Sequence, residues 1–287
     1  MSNFNNIHKI KIINNQKLSE WFYSTYPNCS KNWLYKMLRQ KDIKVNNVKV
    51  KTDCSLYEGD VVELYCDENI LQGNNTKIKI VYEDDYILCA FKGRNLEVEG
   101  DRSLTSLLIN QKGINLFPVH RIDRNTIGLV LFAKNKSVLN ILIKATKNGE
   151  IKKYYLAWVY GDVEPKEKQC KAYIKVDKEQ ALSTISLTPK ADFEPIVTNY
   201  KVVKTDGEKT LLYCSIHNGK THQIRAHLAF LGYPLLGDKK YSTKQINEQF
   251  KYNYQQLFAC QIEFHLTNDK LKYLNKIKIS ATDKDFK

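Results

Sequence analysis

Three short segments carry polar or charged side chains inside otherwise apolar patterns. The first is His120-Arg121-Ile122-Asp123-Arg124-Asn125-Thr126-Ile127-Gly128, a carboxylate between two arginines ahead of a Thr-x-Gly turn. Neighbouring cations favour the ionised carboxylate, so Asp123 suits a nucleophile or electrostatic stabiliser better than a general acid. A structural Asp–Arg pair closing the turn is the competing reading. The second is Lys153-Tyr154-Tyr155-Leu156-Ala157-Trp158-Val159. Strand alternation puts Lys153, Tyr155, Ala157 and Val159 on one face and Tyr154, Leu156 and Trp158 on the other. A strand tyrosine usually only packs; in a cleft it can stack on a base or move a proton. The third is Gly219-Lys220-Thr221-His222-Gln223-Ile224-Arg225-Ala226-His227-Leu228. Thr221 can cap a helix running to Gly232, a terminating glycine with Pro234 behind it. On that helix His222 and Arg225 share a face and reach one target. His217, His222 and His227 are five apart, which turns each by about 500° and off a common face, whereas helix-borne zinc ligands sit three or four apart. No metal site is therefore expected.

Positioning these groups requires a substantial core. The 287 residues are 43% hydrophobic and 11% aromatic, with only 12 Gly and 6 Pro, which excludes disordered and collagenous chains. Lys+Arg 45 against Asp+Glu 31 gives a net charge of +14, so nucleic acid is the first partner to test. The seven cysteines are scattered without a C-x-x-C pair, which predicts reduced, mostly buried thiols. The first residues lack a signal-peptide pattern and no apolar run approaches the roughly 18 residues of a membrane span. A cytoplasmic protein without membrane contact is expected.

Residues 1–66 read as a small α+β unit. Leu18, Trp21, Phe22 and Tyr26 mark one helix, ended near Pro27; Trp33, Leu34, Met37 and Leu38 mark a second, begun after Ser30. A hairpin follows with Asn46-Asn47 at its turn. Polar positions there are almost all basic: Lys31, Lys36, Arg39, Lys41, Lys44, Lys49 and Lys51, with Asp42 the lone acid. Bases gathered on one helix and its abutting hairpin predict a phosphate-tracking surface. Residues 67–77 read as a linker. Residues 78–287 read as one domain, with strands near Ile78–Tyr82, Tyr86–Phe91, Gly128–Phe132, Lys153–Val159, Ala172–Val176, Thr198–Lys204, Thr210–Ile216 and Gln261–Phe264. Helices are expected at Leu104–Gln111, Ser137–Lys147 and Thr221–Leu231. Strands outnumbering helices without strict alternation argue α+β with a mostly antiparallel mixed sheet.

The stretches "WLYKMLRQKDIKVNNVKV" and "LYEGDVVELY" resemble the small S-four RNA-binding module first described in a ribosomal protein. "HRIDRNTIGL", "KKYYLAWVYG" and "NGKTHQIRAHLAFLGYPLLGDKKY", in this order, resemble the RluA family of RNA pseudouridine synthases. That resemblance implies the synthase fold with a central cleft. It implies Asp123 as catalytic aspartate, Tyr155 as active-site tyrosine and Arg225 as the arginine paired with the aspartate. His120, Arg121, Thr126, Thr221, His222 and Gln223 are implied substrate-binding positions, and Lys153 and Lys220 are bases expected to bind substrate beside the same cleft. It also implies chemistry without cofactor or metal on an RNA, with ribosomal RNA of the large subunit favoured and transfer RNA second, by a monomer. A catalytically degenerate RNA-binding or ribosome-assembly protein is the alternative. Three departures stand out: Lys220 for the usual Arg, Lys92-Gly93-Arg94 for a Lys-Pro pair, and Ile127 for a small Ser, which is expected to add bulk beside Asp123.

Overall fold

The computed structural model describes residues 7–27, 29, 31–66, 71, 77–100, 103–177, 179–216 and 219–282. The chain divides into two compact units, Met1–Lys77 and Ile78–Lys287. The expected linker at 67–77 falls largely outside the described residues, as do Ser30 and His217.

In the first unit, β1 (Ile7–Lys11), β6 (Val61–Tyr65), β3 (Ile43–Val45) and β4 (Val48–Lys49) form an antiparallel sheet in that order. A short pair, β2 (Gln16–Lys17) and β5 (Ser55–Leu56), lies apart from it. Helices α1 (Leu18–Thr25) and α2 (Lys31–Gln40) bury Leu18, Trp21, Phe22, Leu34, Met37 and Leu38 against this sheet, at the spacing the sequence shows. Asn46 and Asn47 take φ of 50° and 66°, the left-handed pair that a two-residue hairpin turn requires. The Asn46 side chain then accepts from Val61 N–H at 2.9 Å and donates to Asp60 at 2.8 Å, tying the hairpin tip to β6. Strand β1 has no strong sequence signal because Ile7 and Ile10 break strict alternation; it is fixed instead by its ladder to β6.

The second unit is built on an eleven-stranded sheet. Its strands are β7 (Ile80–Glu83), β8 (Ile87–Lys92), β9 (Phe117–Pro118), β10 (Ile127–Ala133), β11 (Ile151–Tyr160), β12 (Glu167–Asp177), β13 (Leu182–Ser186), β14 (Glu194–Thr205), β15 (Lys209–Ile216), β16 (Leu257–Phe264) and β17 (Lys278–Ser280). The main path runs β13-β12-β14-β15-β11-β16-β10-β8-β7, with β17 on β16 and β9 on β10. Among the described residues only β10 and β16 pair in parallel, through Ile127–Phe258 and Gly128–Ala259. Gly128 makes that approach possible: its φ is 117°, and a Cβ there would lie 2.2 Å from the Ala259 carbonyl oxygen. Beyond this short contact, Val138, Leu142 and Ala145 of α4 (Lys136–Lys147) join a cluster with residues of both β10 and β16.

The other main core holds Tyr155, Ala157 and Val159 from β11, Leu104 and Leu108 from α3 (Leu104–Lys112), and Ile224 and Leu228 from α5 (Gln223–Phe230). The β11 burial pattern alternates as the sequence predicts. Helix α5 begins two residues later than expected, and Thr221 does not cap it. His222 is the N-cap residue, in the left-handed region at φ 56°, and gives no side-chain cap. The Lys220–Gln223 turn closes on itself instead: Gln223 N–H donates to the Lys220 carbonyl at 3.0 Å, and Lys220 N–H to Gln223 Oε1 at 3.1 Å. Helix α6 (Lys244–Phe250) buries no residue; its polar sequence has no apolar stripe to announce it.

Candidate active site

Asp123 sits on a turn between β9 and β10, where Thr126 N–H donates to its carbonyl at 3.0 Å. Lys92, fully buried at the end of β8, pins this turn from beneath. Its ammonium donates to the carbonyls of Gly93, Leu96 and Arg124, each at 2.9 Å. Burial pulls the Lys92 ammonium down to about 8, against the opposing charges of Glu97 and Asp123.

The protein grips Asp123 by one oxygen. Oδ2 accepts from Arg225 NH1 at 2.8 Å and from Gln255 Nε2 at 3.5 Å, with His222 Nε2 3.8 Å away. Oδ1 has no protein partner among the described residues. Arg225 is held in turn by Asp238, fully buried, through Nε–Oδ2 at 2.7 Å and NH2–Oδ1 at 2.9 Å. This fork leaves NH1 as the group offered to Asp123. Burial opposes the Arg225 charge, but the bonds and charges of Asp238 and then Asp123 outweigh it and raise its pKa. Gly237 permits the Asp238 placement, with φ 74° and a would-be Cβ 2.2 Å from the Tyr254 carbonyl oxygen.

Further groups brace this centre. Gln255 Nε2 donates to the Thr126 hydroxyl at 2.9 Å. The Tyr241 ring lies 5.2 Å from the Arg225 guanidinium, and its hydroxyl is 2.9 Å from His222 Nδ1. Burial lowers the His222 pKa, Arg225 and Lys240 adding to the effect against Asp123 and Asp238. The imidazole beside Asp123 is therefore shifted toward its neutral form. Burial raises the Tyr155 phenol, and the Asp123 charge raises it further.

A cavity of about 120 Å³ opens above these groups, lined by Arg121, Asp123, Tyr155, Ile216, Lys220 and Leu257 among others. Asp123, Tyr155, apolar side chains and several basic ones thus line a space of the size of one small ring.

A sequence profile of the family described as RNA pseudouridylate synthase matches residues 86–230. An uncharacterised RNA pseudouridine synthase of Mycoplasma capricolum is 34% identical, over 94% of this chain and 95% of the relative. The chain belongs to the RNA pseudouridine synthase family. The ribosomal large subunit pseudouridine synthase C of Vibrio cholerae is similar to this synthase at 29% identity, covering 89% of this chain and 87% of the relative. Human RNA pseudouridylate synthase domain containing 1 shares its fold, with a TM-score of 0.59 at 20% identity, over 72% of this chain and 89% of that one. The synthase is an isomerase of the RluA type, as the motifs implied.

Of the residues singled out in the sequence, Asp123, Tyr155, Arg225, Arg121, Thr126, Lys220, Thr221, His222 and Gln223 converge on the cavity of the synthase. Several are already engaged. The Thr126 hydroxyl is held by Gln255, Gln223 Nε2 donates to Val197 and Thr198, and Lys220 is ion-paired with Glu194. His120 and Lys153 do not line the cavity. The expected crowding by Ile127 does not occur: its side chain is buried with Phe258 and Cys260, away from the cavity lining. In the first unit Lys36, Arg39, Lys41 and Lys49 are exposed, while Lys44 donates to the Tyr65 hydroxyl at 2.7 Å beside Glu63. The Lys31 side chain lies outside the described residues. Asp238 and Tyr241 lie inside the third motif but receive no role there, and Gln255 lies outside all three motifs. The signal for Asp238 was a lone acid closing the apolar run Tyr233-Pro234-Leu235-Leu236-Gly237. Among the described residues no histidine, cysteine and carboxylate cluster fits a metal ion, and no helix is long and apolar enough to cross a membrane. None of the seven cysteines is joined in a disulfide among the described residues, and six of them are buried.

Proposed function

We propose that the synthase isomerises a uridine of large-subunit ribosomal RNA, with Asp123 as the catalytic carboxylate. The observation that carries this reading is the asymmetry of Asp123: Arg225 holds Oδ2, while Oδ1 has no protein partner among the described residues, in a cavity walled by Tyr155. Isomerisation breaks the bond from ribose carbon 1′ to base nitrogen 1, turns the uracil, and joins carbon 1′ to carbon 5. The carbon-5 proton is then transferred, so that atoms balance without redox change. An ionised carboxylate beside the anomeric carbon stabilises or captures an oxocarbenium-like centre, as in retaining glycosidases; addition to the base and a glycal route use the same oxygen. Arg225 keeps the carboxylate oriented. Tyr155 stacks on the uracil, and its raised pKa keeps the phenol protonated at neutral pH, which suits a platform and proton donor rather than a resident base.

The target must leave its stack to enter this cavity, at a cost of a few kcal/mol that backbone contacts offset. The S-four-like first unit supplies such contacts from Lys36, Arg39, Lys41 and Lys49, with Lys31 on the same helix. Every proposed catalytic group lies in one chain, so a monomer suffices. The name of the Vibrio cholerae relative supports ribosomal RNA over transfer RNA. Pseudouridine mapping across total RNA, with and without the gene, tests the substrate. In vitro, Asp123→Asn abolishes isomerisation while RNA affinity stays within a few-fold. Undiminished pseudouridine formation by that variant refutes the assignment, and absence of product from the unaltered protein on ribosomal and transfer RNA favours a binding-only scaffold.

A further inference from the structure

We infer that Lys153 is an anion-binding group at the edge of the active site, taking an oxygen of a phosphate that adjoins the target uridine. The inference rests on the reading of the Asp123 cavity as the uridine pocket. Lys153 is only 5% exposed, yet it makes no hydrogen bond or ion pair among the described residues. The fold treats its other buried cations differently. Lys92 ends on three carbonyls and Arg225 on two carboxylates. The Lys153 stem is buried, but its ammonium is not among the sealed polar atoms that lack a partner, so the charged end stays open to a partner that arrives from outside.

Its surroundings supply no counter-ion. The titratable neighbour is His120, which burial, together with the Lys153 charge and against a pull from the Arg121 backbone, lowers to about 3. That ring is neutral and adds no negative charge. Burial alone lowers Lys153 to about 8, so the ammonium remains mostly protonated at neutral pH, and an anion beside it would restore its ordinary range.

Position selects the anion. Lys153 precedes Tyr155 by two residues on β11, so both project to the same side about 7 Å apart. It also pairs across the ladder with Ile216, which lines the cavity. A uracil stacked on Tyr155 therefore brings the phosphates of its own nucleotide toward the lysine. Lys153 makes no contribution to base recognition in this arrangement; it holds the nucleotide by its backbone.

The test measures binding of uridine, uridine 3′-monophosphate and uridine 5′-monophosphate to the full chain and to Lys153→Met and Lys153→Arg, by nuclear magnetic resonance titration. The unaltered chain and Lys153→Arg are expected to bind one monophosphate roughly tenfold more tightly than uridine. Lys153→Met loses that preference while binding uridine unchanged, and melts no lower than the unaltered chain because Met fills the space of the buried stem and no protein contact of the ammonium is lost. A monophosphate preference that survives in Lys153→Met overturns the phosphate site alone. Failure of uridine and both monophosphates to bind the unaltered chain overturns the pocket reading, and the site with it.

Discussion

Replacing Asp238 by Asn tests whether Asp123, the proposed catalytic carboxylate, is held through a chain of groups or by Arg225 alone. Asp238 is fully buried and accepts two bonds from Arg225, at 2.7 and 2.9 Å, and one from Lys240 N–H at 2.9 Å. An asparagine keeps one acceptor and turns its NH₂ toward a guanidinium that has only donors. Removing one partner of a buried ion pair costs about 3–5 kcal/mol. In a domain of this size each kcal/mol moves the melting temperature by about 2–4 °C, so Asp238→Asn should melt roughly 6–20 °C lower. Activity should fall too. With the fork gone, the NH1 bond to Asp123 is no longer fixed, and loss of one charged hydrogen bond, about 1.5–3 kcal/mol, predicts a kcat about 10- to 100-fold lower. Scanning calorimetry and single-turnover pseudouridine formation read the two effects. A double-mutant cycle with Arg225→Met isolates the coupling, because the Asn has little left to disturb once the guanidinium is absent. Unchanged melting and kcat, or strictly additive losses in the cycle, refute the relay from Asp238 through Arg225 to Asp123.

Two further predictions concern acid stability and RNA affinity. His227 is 1% exposed and burial lowers it to about 4, with Thr198 Oγ1 3.0 Å from its Nδ1. The unfolded chain takes up this proton near pH 6.5 and the folded chain only near 4, so stability is full above 6.5 and falls as pH drops toward 4, by about 3 kcal/mol. His227→Gln should flatten that part of the urea-unfolding profile; parallel curves for variant and parent between pH 7 and 4 refute the assignment. Truncation to residues 78–287 should leave a folded domain whose RNA affinity is weaker and whose salt slope is shallower by up to about 4, if the bases of the first unit meet phosphates at about 0.7 each. An unchanged slope removes the RNA-binding role from that unit.

Local pattern made much of this architecture legible. The β11 alternation put Tyr155 on one face with Ala157 and Val159, the face that the structure buries, and the order of three motifs placed Asp123 and Arg225 in one family. What escaped was set by topology. Asp238 lies thirteen positions beyond Arg225 and Gln255 lies ahead of β16, and each reaches the centre only after the sheet has assembled. No local period records such a meeting. Thr221 failed as a cap because the Lys220–Gln223 turn satisfies itself and places His222 in a left-handed conformation. Ile127 looked obstructive because sequence adjacency to Asp123 suggests spatial adjacency, whereas its strand turns the side chain toward Phe258. Lys92 and Lys153 are both lysines in strand patterns; only the structure separates the one sealed by carbonyls from the one left waiting.

The fork between Arg225 and Asp238 also bears on competition. A substrate that is a polyanion floods its enzyme with phosphates, each able to bind a guanidinium in the same two-pronged manner as a carboxylate. An arginine free to move would be drawn from the catalytic carboxylate whenever RNA entered. Arg225 has its prongs occupied before the substrate arrives, and Asp238, sealed from solvent, cannot be displaced by a phosphate group. Under the proposed reading, a basic RNA-binding surface and an arginine beside Asp123 can thus coexist in one chain: the exposed lysines are left to meet the RNA backbone, and Arg225 is withheld from it.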